Sequence, residues 1–217
     1  MTKESRTQVI FENDKRHLPK LIAGMDEAGR GALAGPLVVA CCIMPLDNPI
    51  EGVYDSKALI KTKREELFEL IIKKAIAFKI MECDNKMVDR LNILKATINT
   101  MRDIVNEMSL KPTIVLVDYV HKLTLDIDFL AIKKGDQTSY NIAAASILAK
   151  VYRDRLMEEL DEKYPFFKFK ENKGYGTFHH IETLKKLGKT PIHRESFIKS
   201  FFVEQASFLQ TITSLKK

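Results

Sequence analysis

Eight consecutive apolar residues, Leu37 to Met44, stand between Pro36 and Pro45. The run is far shorter than the roughly 20 residues that a membrane-spanning helix needs, and a proline closes it at each end. A short apolar run without polar alternation reads as a core strand. Leu21 to Met25 is a second such run, set between Pro19 and the acidic pair Asp26-Glu27. A chain of 217 residues built around such strands suits one large domain, or one domain with a helical appendage, rather than two full domains.

Periodicity fills in the rest. Thr62 and Glu65 have capping-box spacing, and Leu67, Leu70, Ile71 and Phe78 follow at helical intervals. Met87, Leu91, Leu94, Ile98, Met101, Val105 and Met108 step by four and three, which predicts one amphipathic helix ending before Pro112. A coiled coil is the weaker reading, because the pattern stops at once. Thr113 to Val117 is a β-branched run that predicts a buried strand with Asp118 at its C-terminal end. Phe129 to Ile132 predicts the next strand, and Ser139 can cap a long helix with Ile142, Ala145, Ala149, Tyr152, Leu156 and Leu160 on its apolar face. Beyond Pro165 come a basic, aromatic, Gly-containing stretch and a short helix near His180 to Leu187. Strands cluster first and then alternate with helices, so the expected class is α/β with a mixed sheet and a helical C-terminal extension. The expected segmentation is an N-terminal segment over 1–20, an α/β domain over 21–160, and a basic helical extension over 161–217 packed on it.

Charge is unevenly spread. Residues 1–161 carry 24 Lys and Arg against 24 Asp and Glu, while 162–217 carry 11 against 5, so the net charge of +6 lies in the last quarter. A basic segment beside a neutral body suggests a polyanion-facing surface, although charge runs are more often solvated faces. Cys41, Cys42 and Cys83 form neither an even disulfide set nor zinc-ligand spacing. The N-terminus mixes charges from Lys3 to Lys20 without an apolar core, so no secretory signal is expected. The expected location is cytoplasmic, with no membrane partner.

The residues that could do chemistry gather at predicted strand ends. Asp26 and Glu27 close the first strand and are followed by Gly29-Arg30-Gly31, where backbone amides can approach a ligand closely. Neighbours on a strand point to opposite faces, so both acids serve one site only if the backbone bends there. Alone, the pair reads more simply as a charged strand end before a turn. Asp118 ends a rigid strand, and open α/β sheets build sites near strand ends. Asp136, in Lys134-Gly135-Asp136, follows another strand and precedes a helix; its bland reading is a turn residue. Four converging carboxylates would repel one another unless cations held them, and an oxygen-only donor set suits Mg²⁺ or Mn²⁺ rather than Zn²⁺. Two-metal sites acting on phosphodiesters are built this way.

The motifs Gly24-Met25-Asp26-Glu27-Ala28-Gly29-Arg30-Gly31, Leu33-Ala34-Gly35-Pro36, Asp55-Ser56-Lys57 and Leu91-Asn92-Ile93-Leu94 occur in order along the chain. They continue with Val115-Leu116-Val117-Asp118, Lys134-Gly135-Asp136, Ile142 to Lys150, Lys173-Gly174-Tyr175-Gly176-Thr177 and Pro191-Ile192-His193-Arg194. Together the chain resembles type 2 ribonuclease H (ribonuclease HII), in its bacterial form, from about Leu21 to Phe197. The resemblance implies an RNase H-like five-stranded mixed sheet flanked by helices, with residues 21–160 as the catalytic domain. It implies a metal-dependent endonuclease that hydrolyses the RNA strand of RNA·DNA hybrids and cuts at single ribonucleotides in duplex DNA. The ends would be 3′-hydroxyl and 5′-phosphate, and the roles ribonucleotide and primer removal in replication and repair. Asp26, Glu27, Asp118 and Asp136 match the family's catalytic, metal-binding acids, for two ions of Mg²⁺ or Mn²⁺. Gly29, Arg30 and Gly31 match the motif around the ribose 2′-hydroxyl, the group that separates RNA from DNA. Tyr175 matches the aromatic residue that packs on the next sugar, and Lys57 a phosphate-contacting lysine. The partners implied are RNA·DNA hybrid and ribonucleotide-containing duplex, bound by a monomer.

Departures from the family pattern are local. Tyr119 follows Asp118 where the family usually has Gly, and Gln137-Thr138-Ser139-Tyr140-Asn141 differs from the usual small polar run. Residues 201–217 lie beyond the resemblance; Phe201-Phe202 and Gln205 do not have the order of a sliding-clamp motif, so no clamp contact is expected. One alternative is a type 3 ribonuclease H, disfavoured because that family has an extra N-terminal domain and usually Gly-Lys-Gly, whereas 25 residues precede Asp26. The other is a noncatalytic duplex-binding protein on the same fold, against which the four acids argue. Elsewhere plain structural roles are expected: His179, His180 and His193 lack helical metal-pair spacing, Arg153-Asp154-Arg155 reads as a salt-bridged helix face, and Cys41 and Cys42 as buried strand residues. Tyr164, Phe166, Phe167 and Phe169, interleaved with Lys163, Lys168 and Lys170, could stack on bases or pack a small subdomain.

Overall fold

A computed structural model describes residues 3–120 and 122–202. Among them, strands β1 (Ile22–Ala28), β2 (Leu37–Ile43), β3 (Ala77–Cys83), β4 (Ile114–Asp118) and β5 (Phe129–Ile132) form one sheet in the order β3-β2-β1-β4-β5. The β1–β2 and β2–β3 pairs are antiparallel, and β1–β4 and β4–β5 parallel, so the sheet is mixed as expected.

The prolines' apolar run is β2, buried along its whole length because both faces are covered. Alternation sends Val38, Ala40 and Cys42 towards helices α2 (Lys61–Lys74) and α5 (Tyr140–Lys163). Val39, Cys41 and Ile43 pack on the opposite side with Met101, Ile104 and Val105 of α4 (Ile93–Glu107). Helix α5 crosses β1 so closely that a Cβ on Gly24 would lie 2.0 Å from the backbone carbon of Asn141. Only glycine permits that approach. Ser139 caps α5 as expected, its hydroxyl accepting from the Ile142 N–H at 3.2 Å.

Three sequence expectations are corrected. Thr62 does not cap α2: the helix starts at Lys61, with Ile60 preceding it and no side-chain cap. Phe78, in phase with that helix, lies in β3 instead, because the helix stops at Lys74. The single helix over 87–108 is two, α3 (Asn85–Leu91) and α4, separated by Asn92 at φ 66°, ψ 160°. The halves pack on different clusters, Met87 and Leu91 beside Leu37 and Cys83, Met101 and Val105 beside Val39 and Cys41, and the break lets each reach its own.

The segment over 1–20, left unassigned from sequence, contains helix α1 (Lys3–Lys15). Ile10 and Phe11 enter the main core, and Asp14 accepts from Ser139 Oγ, Asn141 N and Asn141 Nδ2 at 2.8–3.1 Å. At the other end, α6 (Phe169–Asn172), α7 (Phe178–Leu187) and a helical stretch over 195–202 surround Phe167, Phe169, Leu184 and Ile198, which pack on Leu33 and Met157. Phe167 and Phe169 are core residues stacked at 5.4 Å, while Phe166 is 71% exposed. All three cysteines are buried and free. No described helix is long and apolar enough to cross a membrane. The sliding-clamp expectation concerns residues that, from 203 onwards, lie outside the described ones.

Candidate active site

The parallel ladder between β1 and β4 ends at the Met25–Val117 pair, and Asp26 and Asp118 are the next residue on each strand. Asp136 sits in a single 3-10 turn, Gly135–Gln137, which leads from β5 into α5. Asp118 ties the turn down: its Oδ1 accepts from the Gly135 N–H at 2.9 Å and the Tyr119 N–H at 2.9 Å. A Cβ on Gly135 would lie 3.3 Å from the Asp118 Cα, which shows how closely the turn packs on the strand end. Tyr119 itself is 48% exposed, so it is not packed into the core.

The charge of Asp118 is felt at Asp26, Glu27 and Asp136. Burial, then the charges of Glu27 and Asp118, push the Asp26 carboxyl well above the usual range, against hydrogen bonds from the Ser146 hydroxyl and the Glu27 N–H. Burial raises Glu27 as well; Arg30, whose Nη1 is 3.2 Å from Glu27 Oε1, opposes that rise and Asp118 adds to it. Asp136 is raised by burial, with Lys57 opposing and Asp118 adding. Lys57 is pulled down by burial, but the charges of Asp136, Asp26 and Asp55 outweigh this and leave it raised. Its amine is 3.5 Å from Asp136 Oδ2.

This donor set fits divalent cations. Glu27 Oε2 is buried without a hydrogen-bond partner, a costly state for a carboxylate oxygen that a cation would relieve. Three carboxyls raised by burial and repulsion have the same remedy. Among the described residues no three His, Cys, Asp or Glu side chains stand close enough to clasp an ion unadjusted, so ligation requires side-chain movement.

The Gly-Arg-Gly segment and Tyr175, 144 to 146 positions apart in sequence, belong to one construction. Leu33 N and Ala34 N both donate to Gly174 O, at 2.8 and 3.2 Å. Gly29 has φ +93°, and a Cβ there would lie 2.0 Å from Arg153 Nε. Gly31 is open, with nothing within 4 Å of a Cβ. Tyr175 is 39% exposed, and the Arg153 guanidinium lies 5.5 Å from its ring centre.

A family model described as Ribonuclease HII matches residues 23–200. The chain belongs to the ribonuclease HII family. It is 50% identical over 199 residues to the ribonuclease HII of Caldicellulosiruptor bescii, covering 90% of this chain and 97% of that one. The crystal structure of the ribonuclease H2 from Pyrococcus horikoshii OT3 superposes with a TM-score of 0.71 at 29% identity, covering 83% of this chain and 96% of that one. Bst-RNase HIII in complex with Mn²⁺ shares the fold at a TM-score of 0.61 and 17% identity, over 84% of this chain and 66% of that one. As a ribonuclease HII, the chain is a ribonuclease H endonuclease, a hydrolase of phosphodiester bonds. The type 3 and noncatalytic alternatives fall with that assignment.

Sequence reasoning missed what supports the ribonuclease HII site. Ser146, the hydroxyl that reaches Asp26, also lies 2.9 Å from Ser56 Oγ; its signal was a polar residue inside the small apolar run of α5. Arg153 is corrected: it is buried, not part of a salt-bridged face, and donates to Pro36 O, Lys173 O and Ala34 O at 2.9–3.2 Å. Arg155 does pair outward, with Glu65 and Glu69, and Asp154 pairs with Lys150. Arg194, likewise buried, donates to Gly35 O and Arg30 O. One guanidinium thus holds the Gly-Arg-Gly loop, while that of Arg153 holds the adjoining segment 34–36 to Lys173.

Proposed function

We propose that the chain cuts the RNA strand of RNA·DNA hybrids and the backbone at single ribonucleotides in duplex DNA, leaving 3′-hydroxyl and 5′-phosphate ends, with Asp26, Glu27, Asp118 and Asp136 as its catalytic acids. The observation that carries this reading is that Asp118 ends β4 beside Asp26 on β1 and ties down the turn that carries Asp136, next to a Gly-Arg-Gly loop held by Arg194. Two divalent ions, Mg²⁺ or Mn²⁺, would supply an activated water and charge stabilisation of the leaving 3′-oxygen. The four acids hold those ions, and Asp118 orients the Asp136 turn through the Gly135 N–H. Arg30, steered by Glu27, engages the ribose beside the open Gly31. Lys57, exposed at its amine, meets a phosphate. Tyr175 packs on the following deoxyribose, so that the RNA–DNA junction positions one phosphate for attack. The cellular task is ribonucleotide and primer removal during replication and repair, by a cytoplasmic monomer. The test is cleavage of a labelled DNA duplex bearing one ribonucleotide, with Mg²⁺ and Mn²⁺ titrated separately. A single cut at the junction with a 3′-hydroxyl is expected; a 2′,3′-cyclic phosphate, or cutting without added metal, would overturn the reading.

A further inference from the structure

His180 and His193 are 0% and 1% exposed, and their Nε2 atoms lie 3.0 Å apart among the rings of Phe167 and Phe169. One proton lies between the two nitrogens, and the outer contacts decide which ring carries it. The Thr190 backbone N–H donates to His193 Nδ1 at 2.9 Å, so that nitrogen is bare and the His193 proton is on Nε2. His180 Nδ1 lies 2.9 Å from the Tyr175 carbonyl oxygen, which can only accept, so the His180 proton is on Nδ1 and its Nε2 accepts. The hydrogen bonds therefore run in one direction, from Thr190 N–H through His193 and His180 to the Tyr175 carbonyl.

We propose that His180 and His193 are positioning residues for Tyr175, a pair locked in opposite tautomers that holds the Tyr175 carbonyl and so fixes the ring against the sugar. This rests on the reading of Tyr175 as the junction-sensing residue. The loop offers the pair a defined target. Lys173 and Gly174 both have positive φ, 52° and 81°, the Tyr175 N–H is held by Asn172 O at 2.9 Å, and Gly174 O is held by Leu33 and Ala34. The Tyr175 carbonyl accepts from the Thr177 N–H at 2.8 Å, and the histidine supplies the second, side-chain contact to it. Burial, and then the neighbouring His180, push the His193 imidazole down to about 4; burial likewise lowers His180. The pair stays neutral where the enzyme works, and its direction is preserved.

Two measurements on the full chain test this. Nitrogen NMR of the imidazoles at neutral pH should find His180 protonated on Nδ1 and His193 on Nε2; the reverse assignment overturns the proposal whatever any variant does. Kinetics then compare kcat/KM for one embedded ribonucleotide with that for an all-RNA strand paired to DNA. His180→Phe keeps the ring volume but removes the donor, and should lower this ratio about tenfold or more, the scale of a misplaced reacting group. His180→Asn places an amide N–H near the Nδ1 position and should keep most of the ratio. His193→Phe, which frees the His180 ring, should lower the ratio too and serves where His180→Phe folds poorly. Lost folded protein scales both substrates alike and leaves the ratio unmoved. An unchanged ratio in both Phe variants beside a lowered one in Tyr175→Ala overturns the positioning role alone. An unchanged ratio in Tyr175→Ala removes the sugar-reading role, and the positioning role with it.

Discussion

Burial and the charges of Glu27 and Asp118 hold the Asp26 carboxyl well above its unfolded value, and this has a consequence for stability. A folded state that binds a proton more tightly than the unfolded chain loses stability as pH rises from the unfolded pKa of 3.8 through the higher folded value. At neutral pH, well above the unfolded pKa, the ion-free protein therefore carries a penalty from this group. Asp26→Asn should melt at a higher temperature than the unchanged chain in EDTA at neutral pH, with the gain shrinking towards pH 4, while activity is lost. Melting curves across pH check this; a lower Tm for the variant throughout would refute the electrostatic account. Asp118→Asn makes a complementary case. The amide oxygen can still accept from Gly135 and Tyr119 N–H, and the repulsion on Asp26, Glu27 and Asp136 is relieved. Tm in EDTA should therefore not fall, whereas kcat should fall about 100-fold or more, the scale for losing one electrostatic stabiliser. Near-normal turnover with unchanged metal dependence would sink the four-acid assignment.

Among the elements, the α3–α4 break has the clearest test. Asn92 adopts a backbone region that is essentially reserved for glycine, and its side chain accepts from the Lys95 N–H at 3.1 Å. Replacing a cap by glycine costs a few tenths of a kcal/mol, while relief of such strain returns about 1–3 kcal/mol. Asn92→Gly should thus equal or exceed the parent in stability, and Asn92→Ala, which loses the cap and keeps the strain, should lose about 1 kcal/mol. Urea unfolding of both variants decides it, and equal losses would remove the strain argument. The break also shows where sequence legibility ends. Apolar spacing marks which residues are inward, and it located β1, β2, β4, β5 and α5. It does not encode a φ angle, so two helices in one phase read as one, and Phe78 in phase with α2 hid β3. At the candidate site the four acids and the Gly-Arg-Gly segment stand out because few residue types suit strand-end metal chemistry or close backbone approach, whereas Lys57 and Tyr175 are singled out only by the family resemblance. The supporting arginines could not be read: Arg153 meets Pro36 across 117 positions and Arg194 meets Arg30 across 164, and both look in sequence like surface arginines.

For the molecule as a whole, the positive excess of the last quarter is not all presented to a polyanion. Arg194 is buried against carbonyls, and Lys173 Nζ is 2.7 Å from Glu158. Lys168→Gln with Lys170→Gln should reduce the slope of log affinity against log salt by up to about 1.8, at roughly 0.9 per phosphate contact, while Lys173→Gln adds nothing. Hybrid binding to the Asp118→Asn protein over a salt series measures this; an unchanged slope in the double variant would place the contact surface elsewhere. The order of strands has another effect. Because β1 lies beside β4, and Asp118 of β4 holds the Asp136 turn, the Asp136 that joins Asp26 at this sheet end is made 110 positions after it, about 5–20 s of translation at 5–20 residues per second. Tyr175 and the buried arginine that braces Arg30 follow later still. A growing polypeptide therefore holds Asp26 and Glu27 for seconds before the rest of this sheet end exists. The parts of the site are thus assembled late, when α5, Tyr175 and Arg194 have joined the sheet end.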